Sequence, residues 1–219
     1  MRNFSSKATL ALRFALVASS HKLERNLFSL KLRLLTLCLL LSGLAYAAGT
    51  KNDYVPVSSG SSVRFSIKHL TNRANGKFSK FDGKLQFAKT QPEQSTVKFA
   101  IDVASVDTGN SSRDSSIKGD DYFNTQKYPK MTFESKVFKP LDKDHFMVTG
   151  PLTIKGHSKN ISVPVTLTKT EQTWASGEEV LRFKGAFEVD RTEFGVGEAS
   201  SLLGSQVSVV LDLEFRGAK

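Results

Sequence analysis

From Tyr54 onward, apolar and polar residues alternate with a period of two. Val63, Phe65 and Ile67 alternate with Arg64, Ser66 and Lys68, and Gly83, Leu85 and Phe87 with Lys84 and Gln86. The pattern returns at Val97–Val103, Met131–Val137, Phe146–Ile154, Ile161–Leu167, Leu181–Val189 and Val207–Phe215. Successive side chains of a strand point to opposite faces, so each run predicts a strand buried on one side. Eight such strands without helices between them predict an all-β, antiparallel barrel or sandwich. Turn chemistry is expected at Asn75-Gly76, Asp82-Gly83, Lys155-Gly156-His157, Ser176-Gly177 and Gly195-Val196-Gly197. Phe78 and Phe81 differ in parity, and a bulge near Ser79-Lys80 would return both rings to one face.

The alternation stops over residues 111–129, SSRDSSIKGDDYFNTQKYP. Asn110, Ser111 and Ser112 are candidate N-caps, Asp114 falls in the first turn and Gly119 can end a helix. The stretch predicts one short helical excursion at about residues 110–119. Tyr128-Pro129 then forces extended backbone into the next strand. Such an excursion serves as a cap over one end of the sheet or as a lid over a ligand.

The first 47 residues have a different character. Basic residues precede an apolar run, Leu34–Leu44, and Ala45-Tyr46-Ala47 follows as a small-x-small site. This reads as an N-terminal extension with a secretory signal cut near Ala47, leaving residues 48–219 as the mature β domain in the periplasm or the secreted fraction. The apolar run is short for a membrane span, which needs about 20 residues. A transit peptide is the other reading, because the stretch bears Arg and Ser and is nearly free of acids. Seven of the 31 basic residues and one of the 21 acids lie in this leader, so the remainder carries about +4. That balance gives no argument for nucleic acid as a partner. Cys38, the one cysteine, lies in the apolar run, so the mature domain relies on its core and not on disulfides.

Catalytic chemistry is sparse. His69, His145 and His157 have no metal-ligand spacing and no cysteines to join them, so no metal site is assigned. No Gly-x-Ser-x-Gly elbow occurs. Gly195-Val196-Gly197 lacks the third glycine and the strand-to-helix context of a dinucleotide loop. An enzyme would have to use His69 or the Asp120-Asp121 loop on an apolar substrate, and no catalytic residue is assigned. The stronger signal is the apolar face: ten phenylalanines fall on the inward set, and Gly83, Gly150 and Gly185 share that face, apparent gaps between large side chains. An eight-stranded barrel is wide enough to fill with side chains or to hold one slender ligand, and the pattern leaves both open. Strands of eight to ten residues predict a tube of about 30 Å, at roughly 3.3 Å per residue.

Ordered motifs run through the domain: Phe65-Ser-Ile-Lys-His69-Leu70; Gly76-Lys-Phe78 with Phe81-Asp-Gly83; Ser105-Val-Asp107-Thr108; Arg113-Asp114; Asp121-Tyr-Phe123; Tyr128-Pro129; and Phe133-Glu-Ser135. Gly150-Pro-Leu152-Thr-Ile-Lys-Gly156 and Asp190-Arg191-Thr-Glu-Phe194-Gly195 complete the series. Together they resemble the YceI-like family of exported proteins from Tyr54 to Phe215, with minor departures at Pro151 and His157-Ser158. The resemblance implies an extended lipocalin-like barrel whose tunnel holds a polyisoprenoid, an isoprenoid quinone or another long amphiphile, without a covalent cofactor.

On that reading the inward parity assigns the tunnel wall to Phe65, Ile67, Phe78, Phe81, Leu85, Phe99, Ile101 and Phe133, and to Phe146, Val148, Leu152, Val163, Phe183, Phe187, Val209 and Leu211. Headgroup candidates are His69, Arg113, Asp114 and Arg191; Arg113 and Asp114 could equally form a salt-bridged pair that holds the helix to the barrel. The expected role is a non-catalytic binding or carrier protein for a long-chain lipid, with a filled, stress-protective barrel as the alternative. Links of relatives to membrane cytochromes add contact with a membrane or a membrane cytochrome, though no residue specifies it. A homodimer that shields barrel edges and open ends is compatible with the sequence.

Overall fold

The structure is a computed structural model that describes residues 51–172 and 177–217. The leader and its cleavage site, residues 1–47, lie outside the described residues, as does Ser176. The strands are β1 (Asn52–Pro56), β2 (Ser62–His69), β3 (Asn72–Phe78), β4 (Phe81–Phe87), β5 (Thr96–Asp102) and β6 (Val106–Asp107). Helix α1 (Ser111–Lys118) follows, then β7 (Lys130–Glu134), β8 (Val137–Pro140), β9 (His145–Ile154), β10 (His157–Gln172), β11 (Glu179–Asp190) and β12 (Leu203–Gly217).

All pairings are antiparallel. β9 to β12 form a meander, and β12 pairs with β2 over Leu203–Asp212 and with β1 over Phe215–Gly217. β1 with β2, β3 with β4, β5 with β6 and β7 with β8 each act as one stave broken in the middle. Their partners run in matching register on either side of the break: Val63 faces Phe78 and Tyr54 faces Leu85. The result is a closed, eight-stave antiparallel barrel with one α-helix, one stave for each alternating run in the sequence. The pair Ser79-Lys80 interrupts the second stave at the point expected of a bulge, and Phe78 and Phe81 both pack with the core.

Three expectations change. Asn75-Gly76 and Asp82-Gly83 are not turns but lie inside β3 and β4. A Cβ on Gly76 would fall 2.3 Å from Cζ of Phe65, and one on Gly150 would fall 2.1 Å from the Glu134 carbonyl oxygen. These glycines admit a ring or a neighbouring backbone at close approach, so they do not open gaps in the lumen. The hairpin between β2 and β3 instead turns at Leu70-Thr71, with Leu70 at φ 54°. Finally, β10 and β12 run to 16 and 15 residues, longer than the apolar alternation. Their added length is polar and exposed at Lys169–Gln172, where an apolar pattern gives no signal.

Helix α1 forms where the alternation stops. The Asn110 side chain accepts a hydrogen bond from the Arg113 amide at 3.0 Å, and Gly119 is the C-cap. No residue of α1 is fully buried.

Candidate binding site: an apolar lumen closed at one end

Inward residues of the staves surround two cavities. The larger, about 310 Å³, reaches from Phe99, Ile101 and Phe133 to α1, His69 and Leu203. The smaller, about 140 Å³, lies between that level and Leu213 and Phe215 and has no polar side chain in its wall. Six residues face both cavities and form a waist: Phe99, Ile101, Phe133, Leu152, Phe187 and Val209. All six remain half-buried although they point inward, because one side of each meets a void and not another side chain. In a solid core at ordinary packing density they would be fully covered.

Beyond the smaller cavity the barrel is plugged. Phe87, Phe138, Phe146, Phe183 and Phe215 form a chain of ring contacts with centroids 5.3–6.3 Å apart, mostly tilted or edge-to-face, the arrangement aromatic quadrupoles favour. Phe146 is 1% exposed and Leu181 fully covered. Tyr54 lies in the same region, donating its hydroxyl proton to Glu179 Oε2 at 2.7 Å, and Lys89 pairs with the same carboxylate. Burial, and then the Glu179 acceptor, push the Tyr54 phenol up to about 12.

Of the residues assigned to the tunnel wall, Phe65, Ile67 and Phe78 face the larger cavity. Leu85, Val148, Val163, Phe183 and Leu211 face the smaller, and Phe99, Ile101, Phe133, Leu152, Phe187 and Val209 face both. Two do not line either cavity: Phe146 belongs to the plug, and Phe81 packs its ring on Phe99 at 5.3 Å. Met131, Ile154, Val189 and Val207 also line the larger cavity; each has the parity of a run already read as inward, two residues beyond a named neighbour. Ile117, Tyr122 and Phe123 come from the excursion, whose polar helix carries no amphipathic signal.

The polar candidates separate. His69 stands at the exposed end of β2 on the cavity wall, and its ring makes no hydrogen bond among the described residues. Arg113 also reaches the cavity, with Nε donating to Thr108 Oγ1 at 2.8 Å and Nη2 to the Thr108 carbonyl at 2.9 Å. Asp114 does not line the cavity. Its Oδ1 accepts from the Thr108 amide and hydroxyl at 3.0 and 2.7 Å, so Arg113 and Asp114 clasp Thr108 from two sides and make no ion pair with each other. Arg191 lines the cavity but is 5% exposed, with its guanidinium donating to four carbonyls. Nε donates to Gly204, Nη1 to Val196, and Nη2 to Glu198 and Leu203, at 2.7–3.1 Å. It pins the loop after Arg191–Phe194 to the start of β12. Lys155 stitches the same rim, donating from Nζ to the carbonyls of Asp120 and Gly195 at 2.8 Å each. Among the described residues, no cluster of three or more His, Cys, Asp or Glu could hold a metal ion.

A closed antiparallel barrel with an apolar lumen, reached from one end past a helix, defines the lipocalin-like class of β-barrels. A family model described as the YceI-like domain matches residues 54–215, and the chain belongs to that family. A UPF0312 protein of Azotobacter vinelandii is 32% identical over 180 residues, covering 80% of this chain and 91% of the relative. The crystal structure of BcnA from Burkholderia cenocepacia superposes with a TM-score of 0.65 at 29% identity, over 73% of this chain and 98% of that one. A domain of Saccharophagus degradans, described as a polyisoprenoid binding domain implicated in plant cell wall breakdown, shares the fold. Its TM-score is 0.58 at 18% identity, over 75% of this chain and 98% of that one.

Proposed function

We propose that the protein is a non-catalytic binding or carrier protein for a long apolar amphiphile, a polyisoprenoid, isoprenoid quinone or fatty-acid-like lipid, held in the lumen. It acts outside the cytoplasm, after cleavage near Ala47. One observation carries the reading: six inward apolar side chains at mid-barrel stay half-buried around two adjoining voids. An apolar surface turned toward empty space is unfavourable unless a guest covers it. The larger void falls in the range of small-molecule sites, about 300–1,000 Å³. The polyisoprenoid-binding description of the Saccharophagus degradans domain, which shares the fold, supports the same ligand class.

The energetics favour a tail over a headgroup as the source of affinity. Burial yields about 0.8 kcal/mol per CH₂, so a twenty-carbon prenyl tail offers roughly 16 kcal/mol gross. Micromolar binding needs only about 8 net, leaving the rest to offset ordering of the chain. The headgroup then stays at the rim, where His69 and the remaining N–H groups of Arg113 meet it. The test is native purification, extraction into organic solvent and mass spectrometry. A stoichiometric long-chain molecule is expected; its absence, together with failure to bind an isoprenoid quinone, would reject the reading.

A further inference from the structure

A ligand apolar enough to prefer this lumen partitions into a bilayer and not into water, so a carrier would load at a membrane surface. We infer that the rim formed by Leu70 and Leu202 inserts into the headgroup region of a bilayer containing anionic phospholipid. The inference rests on the carrier reading for its purpose but on separate residues for its geometry.

Leu70 and Leu202 are 51% and 58% exposed, two of the most exposed large apolar side chains among the described residues. They stand side by side: the Leu70 amide donates to the Leu202 carbonyl at 2.7 Å. Each directly adjoins a residue of the cavity wall, since His69 precedes Leu70, Leu203 follows Leu202, and His69 and Leu203 are register partners. The two leucines therefore lie at the end of the barrel that the larger cavity reaches, both exposed to solvent. Leu70 does so at φ 54°, a left-handed conformation in which a leucine Cβ is crowded and which glycine or asparagine would occupy with less strain. Folding stability alone explains neither a branched apolar side chain at that φ nor its exposure.

Charge supports a bilayer as the occupant. Lys68 and Arg73 face each other in the β2–β3 register one step below the turn, both exposed and on the outer parity of the barrel. Lys68 makes no ion pair among the described residues, and Arg73 is held by the Ser66 and Ser208 hydroxyls at 2.7 and 3.2 Å. The rim's acids lie elsewhere, Glu198 and Glu193 on the facing segment and Asp120 and Asp121 on the loop after α1, so the cations are grouped at the β2–β3 hairpin. With the leucines in the interface, the two cations sit at phosphate level, where each adds attraction to anionic lipid. The opposite end offers an internal contrast. Leu141, 54% exposed, also sits at a turn, but among Lys139, Asp142, Lys143 and Asp144, and it lines neither cavity.

The test is pelleting with sucrose-loaded vesicles of phosphatidylglycerol and phosphatidylcholine. Wild type is expected to pellet, and less so with phosphatidylcholine alone. Leu70→Gly combined with Leu202→Ser should lower partitioning about tenfold or more, while Leu141→Ser leaves it unchanged. Leu70→Gly relieves the positive φ, so its melting temperature should hold or rise, which separates lost docking from lost folding. Absence of pelleting by wild type, wild-type pelleting by the double variant, or equal loss in Leu141→Ser overturns the inference. Uptake of a twenty-carbon prenol added from ethanol, without vesicles, is read in parallel. Uptake without vesicle binding removes the docking surface and leaves the carrier; vesicle binding without uptake does the reverse.

Discussion

The two ends of the barrel are built from the same alternating staves yet have opposite character. At the plugged end, inward phenylalanines meet one another, and Phe87, Phe138, Phe146, Phe183 and Phe215 are buried to 6% exposure or less. At mid-barrel and toward the rim, Phe65, Phe99, Phe133 and Phe187 point inward but stay half-buried beside voids. Tyr54 at the plug is buried with its hydroxyl on Glu179, whereas His69 and Arg113 stand exposed at a rim that the buried Arg191 holds together. Ring-on-ring packing is thus concentrated at one end, while inward rings toward the other border voids.

The contrast can be broken by substitution. Phe146→Ala empties a packed position and should cost about 3–5 kcal/mol in urea unfolding. Ligand binding by the protein that remains folded should be little changed, since Phe146 lines neither cavity. Arg191→Ala leaves four rim carbonyls without their donor and should cost roughly 3 kcal/mol. Its proteolytic signature should appear first in the loop between residues 195 and 203. A direct headgroup role for Arg191 would instead show as weakened binding at unchanged stability.

The plug also carries a pH signature. With the Tyr54 phenol pushed up to about 12, the fold favours the neutral, protonated form. That contribution is whole below about pH 10, where the unfolded phenol begins to ionise, and is lost as pH rises through about 12. A rise of this size corresponds to roughly 2–3 kcal/mol, so wild type should lose that much more stability than Tyr54→Phe between neutral pH and pH 12. Parallel pH curves for the two proteins would contradict the buried hydrogen bond. Phe187→Ala, at the waist, should be the mildest, at about 1–2 kcal/mol, because its ring already faces voids. It should merge the two cavities and admit longer tails, measured as the longest prenol that still binds.

How far these regions were legible in the sequence follows the same division. Period two locates Phe65, Ile67, Phe99 and Val209 on the inner face because each pairs with a stave of matching parity. It is blind to axial position: Phe146 and Phe133 carry the same signal, yet one fills the plug and the other borders voids. Glycines misled for a related reason. Gly76 and Gly83 read as turns, but what they supply is the absence of a Cβ against Phe65 and the Lys98 carbonyl. Arg191 was legible as a candidate cation, but not its bonds to four backbone carbonyls, which depend on a loop conformation that residue types do not encode. The real β2–β3 turn at Leu70-Thr71 lacks the usual Asn-Gly chemistry, and so its place at the rim was invisible as well.

The most direct measurement is a fluorescence-quench titration of the domain with a twenty-carbon prenol, wild type against Val209→Trp. Val209 borders both cavities, so an indole there fills the waist without disturbing the plug. Saturable one-to-one binding at micromolar or tighter affinity is expected for wild type, with a loss of at least about a hundredfold in the variant at unchanged melting temperature. Equal binding by both proteins, or none by either, would contradict a lumen built to hold a chain.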